Sequence, residues 1–327
     1  MSRKASRDGA LRPSAPPAAK TVAEFFAGIG LMRLGLEAAG WTTLFANDIE
    51  EEKAAMYRRH FHANSAELVV EDIHNLGADE VPTVTLATAS FPCNDLSLAG
   101  ARAGLEGSQS SAFWGFIGIL KEMRQRKPPM VLLENVTGFL SSKGGADFET
   151  ALTALNGLGY SVDAIIVNAA HFVPQSRQRL FVIGRQGVSR KRAAASSEDF
   201  WESEIRPRAL SRFIFEHPAI RWDVRPLPAL PTLRRRLPDI LEDLPDNNTA
   251  WWSEERVEYL VSQMSPRHRA VAETMSSRKA WSYGTIFRRV RKERSMAELR
   301  TDGVAGCLRT PRGGSGRQIL LKAGHGR

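Results

Sequence analysis

Cysteine is scarce in this chain of 327 residues: Cys93 and Cys307 are the only two, with no CxxC pair and no metal-ligand spacing. That argues against a disulfide-stapled scaffold and against a thiolate metal site, and it suits a reducing, cytoplasmic setting. Long apolar runs are missing too. No stretch approaches the roughly 20 residues of a membrane span, and the opening residues have no signal-peptide core, so neither a membrane nor a metal is expected as a partner. The GxGxxG fingerprint of a dinucleotide site is also absent, and no internal repeat is visible.

The chain is instead rich in positive charge, with a formal net charge of +9 that is unevenly spread. From Met1 to Gly184 there are 17 Lys+Arg against 19 Asp+Glu; from Arg185 to Arg327 there are 28 against 17. The excess gathers in runs such as Arg190-Lys191-Arg192, Arg234-Arg235-Arg236 and Arg288-Arg289-Val290-Arg291-Lys292. Such loading of one part of a chain suits a polyanionic partner. Residues 1–20, rich in Ser, Ala, Pro and Arg, read as a disordered basic tail.

Residues 21–185 alternate short β-branched or aromatic runs with helical patterns. Strands are expected over Val22 to Ala27, Thr43 to Asn47, Leu68 to Ile73, Val84 to Ala89, Met130 to Glu134, Val162 to Asn168 and Leu180 to Gly184. Between them, Leu31-Leu34-Leu36-Ala39 and Phe113-Phe116-Ile117-Leu120 have the spacing of amphipathic helices. Such alternation implies an α/β fold with a doubly wound, mostly parallel sheet and a crevice at the carboxyl ends of its strands. Beyond, over 186–327, proline becomes frequent and periodicity weakens. A second, smaller and irregular domain is expected there, with a turn or hinge at Arg312-Gly313-Gly314-Ser315-Gly316-Arg317.

Several strand ends carry groups with chemical potential. Phe25-Phe26-Ala27-Gly28-Ile29-Gly30 is a tight strand-to-helix turn, where glycine lets a ligand approach the backbone and the helix start offers free N–H groups. Asp48 closes the next strand at the interval of a ribose-binding carboxylate, and Glu71-Asp72-Ile73 adds acidic groups at the same rim. The cluster suits a nucleoside-containing cofactor. Cys93, in Ala89-Ser90-Phe91-Pro92-Cys93-Asn94, follows an apolar run and precedes a loop rich in Gly, Ser and Ala, where an α/β enzyme presents a nucleophile.

Glu24 to Leu36, Phe91-Pro92-Cys93, Glu134-Asn135-Val136 and Gln175-Ser176-Arg177-Gln178-Arg179 together resemble the DNA (cytosine-5) methyltransferases in order and approximate interval. The resemblance implies an S-adenosyl-L-methionine site lined by Phe26, Gly28, Ile29, Gly30, Asp48, Ile49, Asp72, Ile73 and Pro92. It implies Cys93 as the nucleophile that adds to C6 of cytosine, Glu134 on the Watson–Crick edge of the base, and Arg177 and Arg179 positioning the base and the Cys93 loop. An aromatic residue often stands in the family where this chain has Ile49. Reaction at C5 and C6 requires the base to be extruded from duplex DNA. The Asn94 to Ser111 loop, with Gly100, Gly104 and Gly107, has the composition of a lid. The region 186–327 would be the DNA target-recognition domain.

The family's final motifs are not evident before Arg327, so a second polypeptide carrying them is an expected partner beside double-stranded DNA. The function expected is that of a restriction-modification methyltransferase. Two alternatives stand: a DNA-binding large subunit of a split enzyme, inactive alone, and an RNA cytosine-5 methyltransferase of the same fold.

Overall fold

In the first half of the chain, short apolar strands alternate with helices, and helical crossovers bring successive strands back in the same direction. The computed structural model describes residues 19–64, 67–92, 111–187, 201–291, 293–308 and 317–326. The expected basic tail up to residue 18, Cys93, the loop 94–110, the 190–192 run and residues 312–316 of the glycine-rich segment lie outside the described residues.

Strands β1 (Thr21–Phe25), β2 (Thr42–Asp48), β3 (Leu68–Val70), β4 (Leu86–Ala89), β5 (Met130–Asn135), β6 (Tyr160–Asn168) and β7 (Gln178–Gln186) form one sheet in the order β3-β2-β1-β4-β5-β7-β6. The pairs linking β1 to β5 are all parallel. Strand β7 runs antiparallel to β5. Only residues 169–177 separate β6 from β7, too few for the crossover helix a parallel return would need. The order reverses between β1 and β4, which makes their carboxyl ends the topological switch point.

Helices α1 (Leu31–Ala38), α2 (Glu51–Phe61), α3 (Ser111–Glu122) and α4 (Ala146–Gly157) provide the connections. Helix α3 buries Phe113, Phe116, Ile119 and Leu120, close to its expected face. Phe116 meets Phe25 of β1 at 5.2 Å between ring centroids, and Phe113 meets Phe91 at 5.4 Å. Aromatic packing therefore fixes the ends of β1 and β4 against the helix layer.

The chain divides into two compact units, one of Met1–Ile165 with Leu180–Val224, the other of Ile166–Arg179 with Arg225–Arg327. The sequence-based boundary near 185 thus moves to 224 for the first unit. The cause is packing that local periodicity does not reveal. Helix α5 (Arg208–Glu216) sets Phe213 against Phe148 at 4.9 Å, and Trp222 bridges to Val162 of β6. Arg206 donates two 2.9 Å hydrogen bonds to Asp163, which is fully buried.

The second unit also has more order than expected. Its three-stranded antiparallel sheet, β8 (Ser282–Arg291), β9 (Arg294–Arg300) and β10 (Ile319–Ala323), has the order β10-β8-β9. Helices α6 (Glu254–Ser262) and α7 (Pro266–Ser276) supply Leu260 and Met275 to a core with Met264, Ile286, Ala297, Leu299 and Ala323. Trp252 packs against this cluster.

Candidate active site

At the end of β1 the backbone enters the left-handed region at Phe26 (φ 58), Gly28 (φ 58) and Gly30 (φ 84) before α1 begins. The two glycines serve different needs. A Cβ on Gly30 would lie 2.2 Å from the Phe61 ring, so that glycine permits close packing; above Gly28 there is open space. The Gly28 N–H donates to Asp48 Oδ2 at 2.7 Å, and Asp48 Oδ1 accepts from the Glu50 N–H at 2.9 Å. Asp48 is buried and braces the turn from the neighbouring strand.

Asn47 extends this rim to β3, its side-chain amide donating to the carbonyls of Val69 and Glu71 at 3.2 and 2.9 Å. Asp72 is half-buried and accepts from the His74 N–H at 2.9 Å. Ile73 turns inward, with its Cγ2 where a Cβ on Gly115 would collide. Ile49 is 62% exposed and Ile29 39%, leaving apolar surface beside the carboxylates. Of the expected cofactor residues, Phe26, Gly28, Ile29, Gly30, Asp48, Ile49, Asp72 and Ile73 thus lie along the adjacent carboxyl ends of β1, β2 and β3.

Helix α1 inverts the burial expected from its sequence. Leu31 and Leu34 are exposed while Arg33 is buried. Arg33 is bound by Glu37 at 2.7 Å, by Glu67, and by the Tyr57 hydroxyl at 3.2 Å, and its guanidinium lies 4.2 Å from the Phe61 ring centroid. Beneath it, Glu24 accepts only long bonds, from the Arg33 N–H and the Tyr57 hydroxyl, both at 3.3 Å. Burial therefore wins, and the Glu24 carboxyl is pushed up to about 7. Sequence reasoning gave this buried acid under the glycine turn no role; its only signal was a carboxylate inside an otherwise apolar strand.

The next two strand ends are joined by another unassigned residue. Phe91 is buried against Phe113 and Phe139, and Pro92 is exposed. Asn135 closes β5 and donates from Nδ2 to the Phe91 carbonyl at 3.3 Å, while its Oδ1 accepts from the Val136 N–H at 2.8 Å. The register of Ala89 with Leu133 carries β4 and β5 to the same rim. Glu134 stands there, half-buried, on the face opposite the inward residues Leu133 and Asn135.

Arg177 and Arg179 belong to the second compact unit. The Arg177 N–H donates to Asn168 Oδ1 at 2.9 Å, and its Nη1 reaches Cys307 Sγ at 3.5 Å. Arg179 Nη1 donates to the Gln178 carbonyl at 2.8 Å. The Gln175 segment is held by a bridge to Ala305 and by the Leu308 N–H on Gln175 Oε1 at 3.2 Å. No sequence signal links Cys307 to this segment. Among the described residues no helix is long and apolar enough to cross a membrane, and no group of three metal-ligating side chains occurs.

Residues 20–312 match the family model described as C-5 cytosine-specific DNA methylase. The chain belongs to that family. It is 31% identical over 170 residues to the type II methyltransferase M.Bsp6I of Bacillus sp. (strain RFL6), covering 51% of this chain and 52% of the relative. It is 34% identical over 169 residues to M.DsaV of Dactylococcopsis salina, covering 51% and 46%. The chain thus spans about half the length of the curated relatives it matches. The crystal structure of the S. pombe Dnmt2 methyltransferase aligns with a TM-score of 0.50 at 22% identity, covering 75% of this chain and 67% of that one, a likeness of fold. The mostly parallel seven-stranded sheet of this cytosine-methylase family member is the methyltransferase fold expected from the sequence.

Proposed function

We propose that this chain transfers a methyl group from S-adenosylmethionine to C5 of a cytosine extruded from duplex DNA, with Cys93 as the nucleophile. The observation that carries the reading is the Asn135 bond to the Phe91 carbonyl. It ties the backbone two residues before Cys93 to the strand end that bears Glu134.

The rim residues fit the cofactor. Open space over Gly28 admits a ligand against the backbone, the start of α1 offers polar N–H groups, and the exposed Ile49 and Ile29 offer apolar contact to a purine. Asp48 would hold ribose hydroxyls with acceptor capacity left after its two backbone bonds, and Asp72 would face the adenine amino group. When bound, S-adenosylmethionine supplies an electrophilic methyl group.

The protein's own part is to make C5 nucleophilic. Addition of the Cys93 thiolate to C6 moves electron density to C5, and proton donation or a strong hydrogen bond from Glu134 to N3 takes up the charge that develops in the ring. After methylation, loss of the C5 proton to a base in solution and expulsion of the thiolate restore the aromatic ring. Arg177 and Arg179 would position the base and the loop that begins at Cys93.

Transfer of labelled methyl groups to a pool of genomic duplex fragments, followed by nucleoside analysis, tests the reaction. 5-Methylcytosine is expected, with Glu134→Gln slowing its formation by roughly 100-fold or more. Label in RNA but not DNA, or methylation on the exocyclic amine, overturns the reading. A requirement for a second polypeptide is favoured by the exposed Ile29, Leu31 and Leu34 beside the turn, and repeated turnover by the isolated chain removes it.

A further inference from the structure

Helix α7 turns only part of its surface toward the core of the second unit. Met275 packs into the cluster with Met264 and Ile286, whereas Arg267, Ala270, Thr274 and Arg278 follow the helical repeat along an exposed side. With Trp281 and Tyr283, where β8 begins, that side lines a cleft of about 760 Å³. Small-molecule sites have volumes of roughly 300–1,000 Å³.

The cleft has a cation at each end and nothing to neutralise either. Arg267 and Arg278 stand about three helical turns apart. Arg278 Nη1 reaches only the uncharged Ser282 Oγ, at 3.3 Å, and Arg267 has no side-chain partner among the described residues. Among those residues no Asp or Glu lines the cleft. The carboxylates next in sequence to its walls are already engaged. Asp239, beside Pro238, accepts the Arg236 N–H at 2.7 Å, and Asp302, beside Thr301, is bound by the Arg300 guanidinium at 2.6 and 2.7 Å. The aromatic wall is fixed in place, because the Lys322 ammonium lies 4.5 Å from the Trp281 ring centroid and the His325 ring packs on it at 4.8 Å.

We propose that this cleft binds a free nucleoside triphosphate, with its base against Trp281 and Tyr283 and its phosphates at Arg267. Aromatic side chains stack on any base, and guanidinium groups match phosphate oxygens in pairs. Arg267 stands in the first turn of α7, where the helix dipole also favours an anion. The small side chains of Ala270 and Thr274 leave room between the two ends, and an extended nucleoside triphosphate is of comparable length. Hydroxyls of Thr274 and Ser282 are at hand for the ribose. A bare polyphosphate would leave the rings unused, and a nucleoside without phosphates would leave the cations unpaired. The site lies wholly within the second unit, and the inference does not depend on whether the chain methylates DNA.

Calorimetric titration of the full chain with adenosine 5′-triphosphate tests the proposal, with S-adenosylmethionine present in excess to occupy the cofactor rim. Saturable binding of one nucleotide per chain is expected, with adenosine and inorganic triphosphate each weaker by about ten-fold or more. Arg267→Gln/Arg278→Gln should weaken binding by at least about ten-fold, and Ala270→Trp, which fills the cleft from an exposed helix position, should abolish it. Melting temperatures should match the parent, and the comparison of the three ligands stands without either variant. Absence of saturable binding, equal affinity for inorganic triphosphate, tighter binding of a polyglutamate peptide, or parental affinity in either variant overturns the proposal. So does a loss in the variants that is confined to duplex DNA, which would assign the two arginines to that surface instead.

Discussion

Replacing Glu24 by Gln tests whether the acid beneath the glycine turn is held neutral. Its side chain lies almost wholly out of solvent on β1, and the nearby guanidinium of Arg33 is taken up by Glu37, Glu67 and Tyr57. Folding raises the carboxyl from the ordinary 4.5 to about 7. Below the unfolded value both states are protonated and the group contributes nothing. Between the two values the folded state holds the proton that the unfolded state has released, so stability falls as pH rises, and the loss is complete above the folded value. A shift of this size corresponds to about 3 kcal/mol, of which roughly 2.5 falls between pH 5 and pH 8. Gln has no charge to bury and should remove that slope. Urea unfolding of parent and variant at a series of pH values, compared as differences so that other groups cancel, should show Glu24→Gln gaining on the parent as pH rises. Parallel profiles would refute the reasoning, and a parent that gains on the variant would mean that Glu24 is ionised and paired with Arg33.

Other expectations follow from particular contacts. Arg206→Met should cost about 3–5 kcal/mol in a urea titration, because it removes the guanidinium whose Nη2 meets both carboxylate oxygens of the buried Asp163. Gly28→Ala should lower stability by only about 1–2 kcal/mol, the cost of the left-handed backbone, but weaken S-adenosylmethionine binding measured by calorimetry. Gly30→Ala adds a collision with Phe61 to the same strain and should lose more stability than Gly28→Ala in the same melts. Asn135→Ala frees the Phe91 carbonyl and should lower kcat for methyl transfer while leaving KM for the cofactor nearly unchanged, as expected of a positioning residue.

The sheet of the first unit was legible because buried parallel strands read as short apolar runs. Leu86–Ala89, buried throughout, and Met130–Asn135 are examples. The ends of those strands carried the rim residues with them. What local pattern did not show depends on tertiary partners. Helix α1 has the spacing of an amphipathic helix, but Arg33 rather than Leu31 or Leu34 is drawn inward, because Glu67, Tyr57 and Phe61 wait for its guanidinium. The return of α5 and Trp222 to the first sheet depends on Asp163 and Phe148, far away in sequence. Strands β8 and β9 were hidden because their outer halves carry arginine where a half-buried strand would alternate apolar residues.

The central claim is the bond between Cys93 and a pyrimidine ring, and its most direct measurement is covalent capture on duplex DNA containing 5-fluorocytosine in the presence of S-adenosylmethionine. Mass spectrometry should find a stable adduct on the peptide containing Cys93 in the parent and none in Cys93→Ala. No adduct in the parent, or one that survives the substitution, would contradict the account.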